Sequence, residues 1–118
     1  MWIAFLAVLL GAAALTWVGW RGLQRKLPRQ HWAGIRTSYS LANDEQWYAV
    51  HQYGALYLIF GGVAAFAGAL AVLPFAIAGS VPTTFGAAVL VALAVLVGVS
   101  VLMSWVLGVK GAKASLAR

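Results

Sequence analysis

Three long apolar runs, over residues 2–20, 53–73 and 85–109, constrain the fold of this 118-residue chain more than any other feature. At 1.5 Å of rise per helical residue, each run is long enough to cross the roughly 30 Å hydrocarbon core of a bilayer. Backbone groups in lipid must pair internally, and the runs lack the alternation of barrel strands. The pattern predicts an all-α integral membrane three-helix bundle, with residues 1–118 forming a single membrane domain. The first run is predicted to be a retained helix rather than a signal peptide, because no base precedes it.

Composition excludes several other classes of protein. Hydrophobic residues make up 64% of the chain and charged residues 8%, against about 25% charged in soluble domains. Cysteine is absent, so a disulfide framework and a thiolate nucleophile are excluded. The only two side-chain carboxylates, Asp44 and Glu45, are adjacent and point about 100° apart on a helix. We therefore expect no enzymatic activity, no cofactor and no metal site.

The basic residues predict the orientation of the three spans. They form one group after the first apolar run and another after the third: Arg21, Arg25, Lys26, Arg29 and Arg36, then Lys110, Lys113 and Arg118. Under the positive-inside rule, the polar loop over 21–52 and the C-terminus are cytoplasmic. The N-terminus and the loop over 74–84 then lie outside, as an odd number of spans requires.

The cluster of bases at Arg21, Arg25, Lys26 and Arg29 has two interpretations. It is either a topology signal alone or a contact for anionic lipid headgroups, which attract juxtamembrane bases. Binding of nucleic acid is not expected, because the cluster is short and lies against a membrane.

Small residues recur at helical spacing in all three runs and predict close helix packing. They form one row in each run: Ala4, Ala7, Gly11, Ala14 and Val18; Trp47, His51, Gly54, Leu58, Gly61, Ala65, Gly68 and Val72; Ala87, Val91, Ala94, Gly98, Val101, Trp105 and Gly108. The rows either pack within the chain or leave a face for another membrane protein or a second copy. Gly11, Gly61, Ala65, Gly68 and Gly98 are the principal predicted packing residues.

The polar loop is predicted to end in a short interfacial helix that continues into the second span. Pro28 interrupts any extension of the first helix. Asn43 is the expected N-cap, with Gln46 in capping-box register, and Ser40 is a competing cap.

A set of residues in this loop resembles the signature of the SdpI family of small bacterial integral membrane proteins. The resemblance covers roughly residues 29–62 and rests on Gly34-Ile35-Arg36-Thr37, Ser40-Leu41, Trp47, His51 and Gly54. The chain departs from the pattern in having Gln30 or His31 in place of an Asn, and Gln52 in place of a base. The resemblance implies a protein of the bacterial inner (plasma) membrane without known enzymatic activity. It also implies a role in immunity to a secreted killing peptide or in the associated signalling.

The motif residues have a structural and a partner-binding interpretation. Gly34, Arg36, Thr37, Trp47, His51 and Gly54 either join the loop to the second helix or bind a ligand or partner. Two functional hypotheses follow. One is an SdpI-like protein that binds a membrane or cytoplasmic partner, and the other is a small accessory or assembly subunit of a larger membrane complex.

Overall fold

The computed structural model describes residues 1–28, 34–35 and 37–116, and these residues form three α-helices. They are α1 (Trp2–Leu23), α2 (Asp44–Ile77) and α3 (Thr83–Leu116). Each is long and apolar enough to cross a membrane. The predicted all-α, three-helix membrane fold is confirmed.

Each helix runs antiparallel to the next one along the chain, and α2 lies between α1 and α3. α2 packs along both neighbours, whereas α1 and α3 barely contact each other. The bundle is 56 Å long and about 20 Å wide. We call the end that holds the last turn of α1, residues 24–28, 34–35 and 37–43, the start of α2 and the end of α3 the polar end. All bases that the structure describes lie there: Arg21, Arg25, Lys26, Lys110 and Lys113.

The start of α2 follows the sequence prediction. Asn43 is the N-cap, and its side-chain oxygen accepts a hydrogen bond of 2.8 Å from the backbone N–H of Gln46. Asp44 and Glu45 occupy the first turn, where the helix dipole favours negative charge. Ser40 does not cap the helix, because its hydroxyl bonds within the preceding loop instead.

The end of α2 differs from the prediction of a loop over 74–84. The helix continues through Pro74 to Ile77, and the connection comprises only residues 78–82. A proline so near a helix end removes one hydrogen bond without displacing a long segment. Gly79, at φ +73°, then ends the helix, with its N–H donating to Ala76 and that of Ser80 donating to Phe75. This is a Schellman motif.

The small-residue row of α2 forms its packing surface, as expected, whereas the rows predicted for α1 and α3 are mostly exposed, with Gly108 of α3 as an exception. Gly54, Gly61 and Ala65 are buried, whereas Gly11 and Gly98 are exposed, with nothing within 4 Å of a Cβ built on either. Gly11 and Gly98 therefore fit the second interpretation of these rows, a face left for another membrane protein or a second copy, rather than packing within the chain. Both outer helices instead pack larger side chains, notably Phe5, Leu9 and Leu93, against the alanines of α2.

Candidate functional site

Trp47 joins the start of α2 to the chain that leaves α1. Its side chain is fully buried, and its indole N–H donates a 2.8 Å hydrogen bond to the backbone oxygen of Leu27. The indole also packs on the imidazole of His51, one turn later, with ring centroids 4.1 Å apart. Trp47 is therefore an internal contact of the polar end rather than an exposed anchor.

His51 joins α2 to the loop residues that precede it, through a contact with Ile35. Its Nε2 accepts a 2.7 Å hydrogen bond from the backbone N–H of Ile35, and its Nδ1 lies 2.8 Å from the backbone oxygen of Trp47. Because a carbonyl oxygen can only accept, the proton must be on Nδ1 and the ring is neutral. With 1% of its surface exposed, the imidazole has both nitrogens occupied by backbone groups.

Gly34 permits the hydrogen bond between Ile35 and His51 in two ways. Its φ of +95° lies in the region that residues with a side chain rarely adopt. In addition, a Cβ at this position would lie 2.5 Å from Nε2 of His51. Gly22 of α1 approaches His51 from the other side, where a Cβ would lie 3.0 Å from the backbone oxygen of His51. The two glycines let the loop approach the imidazole of His51 and let α1 approach its backbone.

The Thr37–Ser40 turn completes the loop. The buried hydroxyl of Ser40 donates a 2.6 Å hydrogen bond to the backbone oxygen of Ile35 and accepts one of 2.8 Å from the N–H of Thr37. The hydroxyl of Thr37 in turn accepts from the N–H of Ser40 at 3.1 Å. We call the whole assembly the loop–helix junction, comprising Leu27, Gly34, Ile35, Thr37, Ser40, Trp47 and His51.

Gly54 brings α3 against α2 just below this junction. The buried hydroxyl of Ser104 donates a 2.9 Å hydrogen bond to the backbone oxygen of Gly54. A Cβ on Gly54 would lie 2.6 Å from the backbone oxygen of Ser104, and one on Gly108 would lie 2.7 Å from that of Val50. Sequence reasoning did not assign a role to Ser104. The available signal was a hydroxyl four residues before a glycine in an otherwise apolar helix.

Two bases of the juxtamembrane cluster, Arg21 and Arg25, lie close to aromatic rings. The guanidinium of Arg25 lies 5.5 Å from the ring of Tyr48 and donates a 3.1 Å hydrogen bond to the side chain of Gln52. Arg21 lies 5.7 Å from the ring of Trp17. Gln52, at which the chain departs from the family pattern, thus forms part of the contact between α2 and the end of α1. Five residues singled out in the sequence lie outside the described residues: Arg29, Gln30, His31, Arg36 and Arg118.

The contacts described above hold the loop and α3 against α2. Trp47, His51 and Gly54 face the interior, so the geometry favours the joining role over direct contact with a partner. Within the described ranges, no three His, Cys, Asp or Glu side chains come together as a metal site would require.

The comparisons with known proteins point to one family. The model of the SdpI/YfhL protein family matches residues 26–106, about two thirds of the chain. This range includes the whole loop–helix junction, all of α2 and most of α3. No curated protein and no solved structure matches the chain. The chain, a membrane protein with three apolar helices, belongs to the SdpI/YfhL protein family.

Proposed function

We propose that this protein is non-enzymatic and acts by binding a transmembrane helix of a partner protein between α1 and α3. An open furrow separates these two helices, because each packs on α2 and hardly on the other. The furrow consists of two adjoining cavities of about 270 and 360 Å³ that share Gly11 and Leu15. Its walls combine Leu, Ile and Val side chains with small residues such as Gly11, Ala94 and Gly98. Small residues allow helix backbones to approach closely in lipid.

One observation supports this proposal above the others: the furrow reaches the family motif. Gly34 and Ile35 line its polar end, together with Leu58 of α2 and Val101 of α3. A helix in the furrow would therefore contact the loop whose position His51 holds. An immunity or signalling role, of the kind that the family resemblance implies, would consist of engaging a toxin or a regulator here.

The test compares two exposed alanines of α3, Ala94, which lines the furrow, and Ala92, which does not. Each is replaced by the photo-crosslinking residue benzoylphenylalanine in the full chain in native membranes. We expect a discrete protein adduct from position 94 only, identified by mass spectrometry. Gly98→Leu should abolish this adduct, because the leucine fills the furrow where glycine meets nothing within 4 Å.

The outcomes of this experiment separate the candidate functions. An adduct with one small protein supports partner binding. An adduct of twice the chain mass would show that a second copy of this chain, rather than another protein, occupies the furrow. Comigration of the adduct with a large stoichiometric complex in mild detergent favours the accessory-subunit hypothesis. Equal crosslinking from both positions would contradict the furrow as a binding site.

We also propose that the polar end is cytoplasmic and that the protein lies in the bacterial inner membrane. The support is that the five described bases lie at the polar end, whereas the connection over 78–82 contains no charged residue. Ser38 and Ser80 are exposed at opposite ends of the bundle, and the chain has no cysteine. A membrane-impermeant maleimide should label Ser80→Cys in intact cells and Ser38→Cys only after permeabilisation. The reverse pattern would overturn this orientation.

A further inference from the structure

A second groove lies between α1 and α2 and contains no residue of α3. It has a volume of about 440 Å³ and is lined by Ala13, Thr16, Trp17, Trp20, Val63 and Phe66. The hydroxyl of Thr16 donates to the backbone oxygen of Ala12 at 2.8 Å, so this hydroxyl is already bonded. The groove is predominantly apolar and lies next to the basic cluster.

Arg21 lies at the polar end of this groove with much of its hydrogen-bonding capacity unused. Its guanidinium lies 5.7 Å from the ring of Trp17, a groove residue. Its one hydrogen bond to a described residue is a long one of 3.3 Å, from Nη2 to the backbone oxygen of Lys26. Its Nε is shielded from solvent and has no hydrogen-bond partner among the described residues. Arg25, by contrast, is held by Gln52 and Tyr48.

A guanidinium whose terminal Nη groups lie at an exposed position beside an apolar groove matches the chemistry of a phospholipid. The planar fork of Arg is suited to bidentate binding of phosphate, and this bond is charge-assisted. Three bases within six residues, Arg21, Arg25 and Lys26, favour a lipid with net negative charge over a zwitterionic one. Trp17 and Trp20 are side chains typical of the membrane interface, so we expect Arg21, one turn after Trp17, at the level of the lipid phosphates.

We propose that this groove and Arg21 form a binding site for one anionic phospholipid. An acyl chain lies in the groove against Trp17, Trp20 and Phe66, and the lipid phosphate accepts hydrogen bonds from the guanidinium of Arg21. The site is separate from the furrow between α1 and α3, and it does not depend on the partner proposed there.

The experiment measures lipid binding to the full chain in detergent by native mass spectrometry. Phosphatidylglycerol and phosphatidylcholine with identical acyl chains are titrated separately. Arg21→Gln should weaken phosphatidylglycerol binding about fivefold, the loss expected for one base at the headgroup level. Lys110→Gln is the matched control, since it removes the same charge at the same end, and it should change binding less than twofold.

A second pair of variants tests the groove itself. Ala13 and Ala92 are both exposed, and only Ala13 lines the groove. Ala13→Phe should lower phosphatidylglycerol binding at least fivefold, whereas Ala92→Phe should leave it unchanged. Three results would each overturn the proposal: equal affinity for the two lipids, equal loss from Arg21→Gln and Lys110→Gln, or no effect of Ala13→Phe. Unchanged helicity by circular dichroism shows that each variant remains folded.

Discussion

Replacement of Gly34 by alanine is expected to lower the free energy of unfolding by about 2–5 kcal/mol. One part is the cost of placing a side chain at φ +95°, about 1–2 kcal/mol. The other arises because the new Cβ would lie 2.5 Å from Nε2 of His51. The loop must then move away, and the buried N–H of Ile35 loses its acceptor, at a cost of about 1–3 kcal/mol.

The matched control for this variant is Gly79→Ala. Gly79 also has a positive φ, +73°, but a Cβ there meets nothing within 4 Å. It should therefore show only the backbone cost of about 1–2 kcal/mol. Both variants are measured by unfolding in mixed micelles with increasing dodecyl sulfate, followed by circular dichroism. An equal loss of unfolding free energy in Gly34→Ala and Gly79→Ala would contradict the claim that the contact of Gly34 with His51 contributes to stability.

His51→Ala is expected to destabilise the protein by at least about 3 kcal/mol. The variant leaves the N–H of Ile35 without an acceptor in a buried place, and it opens a cavity beside Trp47. Two further variants separate these causes. His51→Phe keeps the ring volume and should lose only the hydrogen-bond part, about 1–3 kcal/mol. His51→Gln offers an amide oxygen near the position of Nε2 and should recover part of the stability.

The readout that distinguishes hydrogen bonding from packing is amide exchange at Ile35. Its N–H should be protected in the wild type and in His51→Gln, and should exchange much faster in His51→Phe. If the Ile35 amide remains equally protected in His51→Phe, the bond to Nε2 does not hold the loop. The junction would then depend on packing around Trp47 alone.

The loop–helix junction connects with the proposed partner site through Gly34 and Ile35. Both residues line the polar end of the furrow, and both depend on His51 for their position. His51 is therefore a positioning residue for the proposed function, since its own side chain is buried. In this view the family motif matters to a partner indirectly, by shaping the end of the furrow.

Several features of this protein follow from local sequence alone. The lengths of the three apolar runs determine three membrane helices, because backbone groups in lipid must pair internally. Asn43 and Gln46 determine where α2 begins, since a cap needs only residues within one turn. The family motif is likewise a local pattern, and the family match includes it. These features do not depend on which segments pack against them.

Other features were decided only by the tertiary structure. The outer helices are largely apolar on all sides, so the sequence carries little signal, apart from Ser104 and Gly108 in α3, for which face meets α2. The exposed positions of Gly11 and Gly98 follow from the packing of both α1 and α3 on α2. The bonds from Ile35 to His51 and from Ser104 to Gly54 join residues 16 and 50 positions apart. Local spacing determined the helices of this protein, whereas contacts between distant segments decided its packing faces, its furrow and the role of His51.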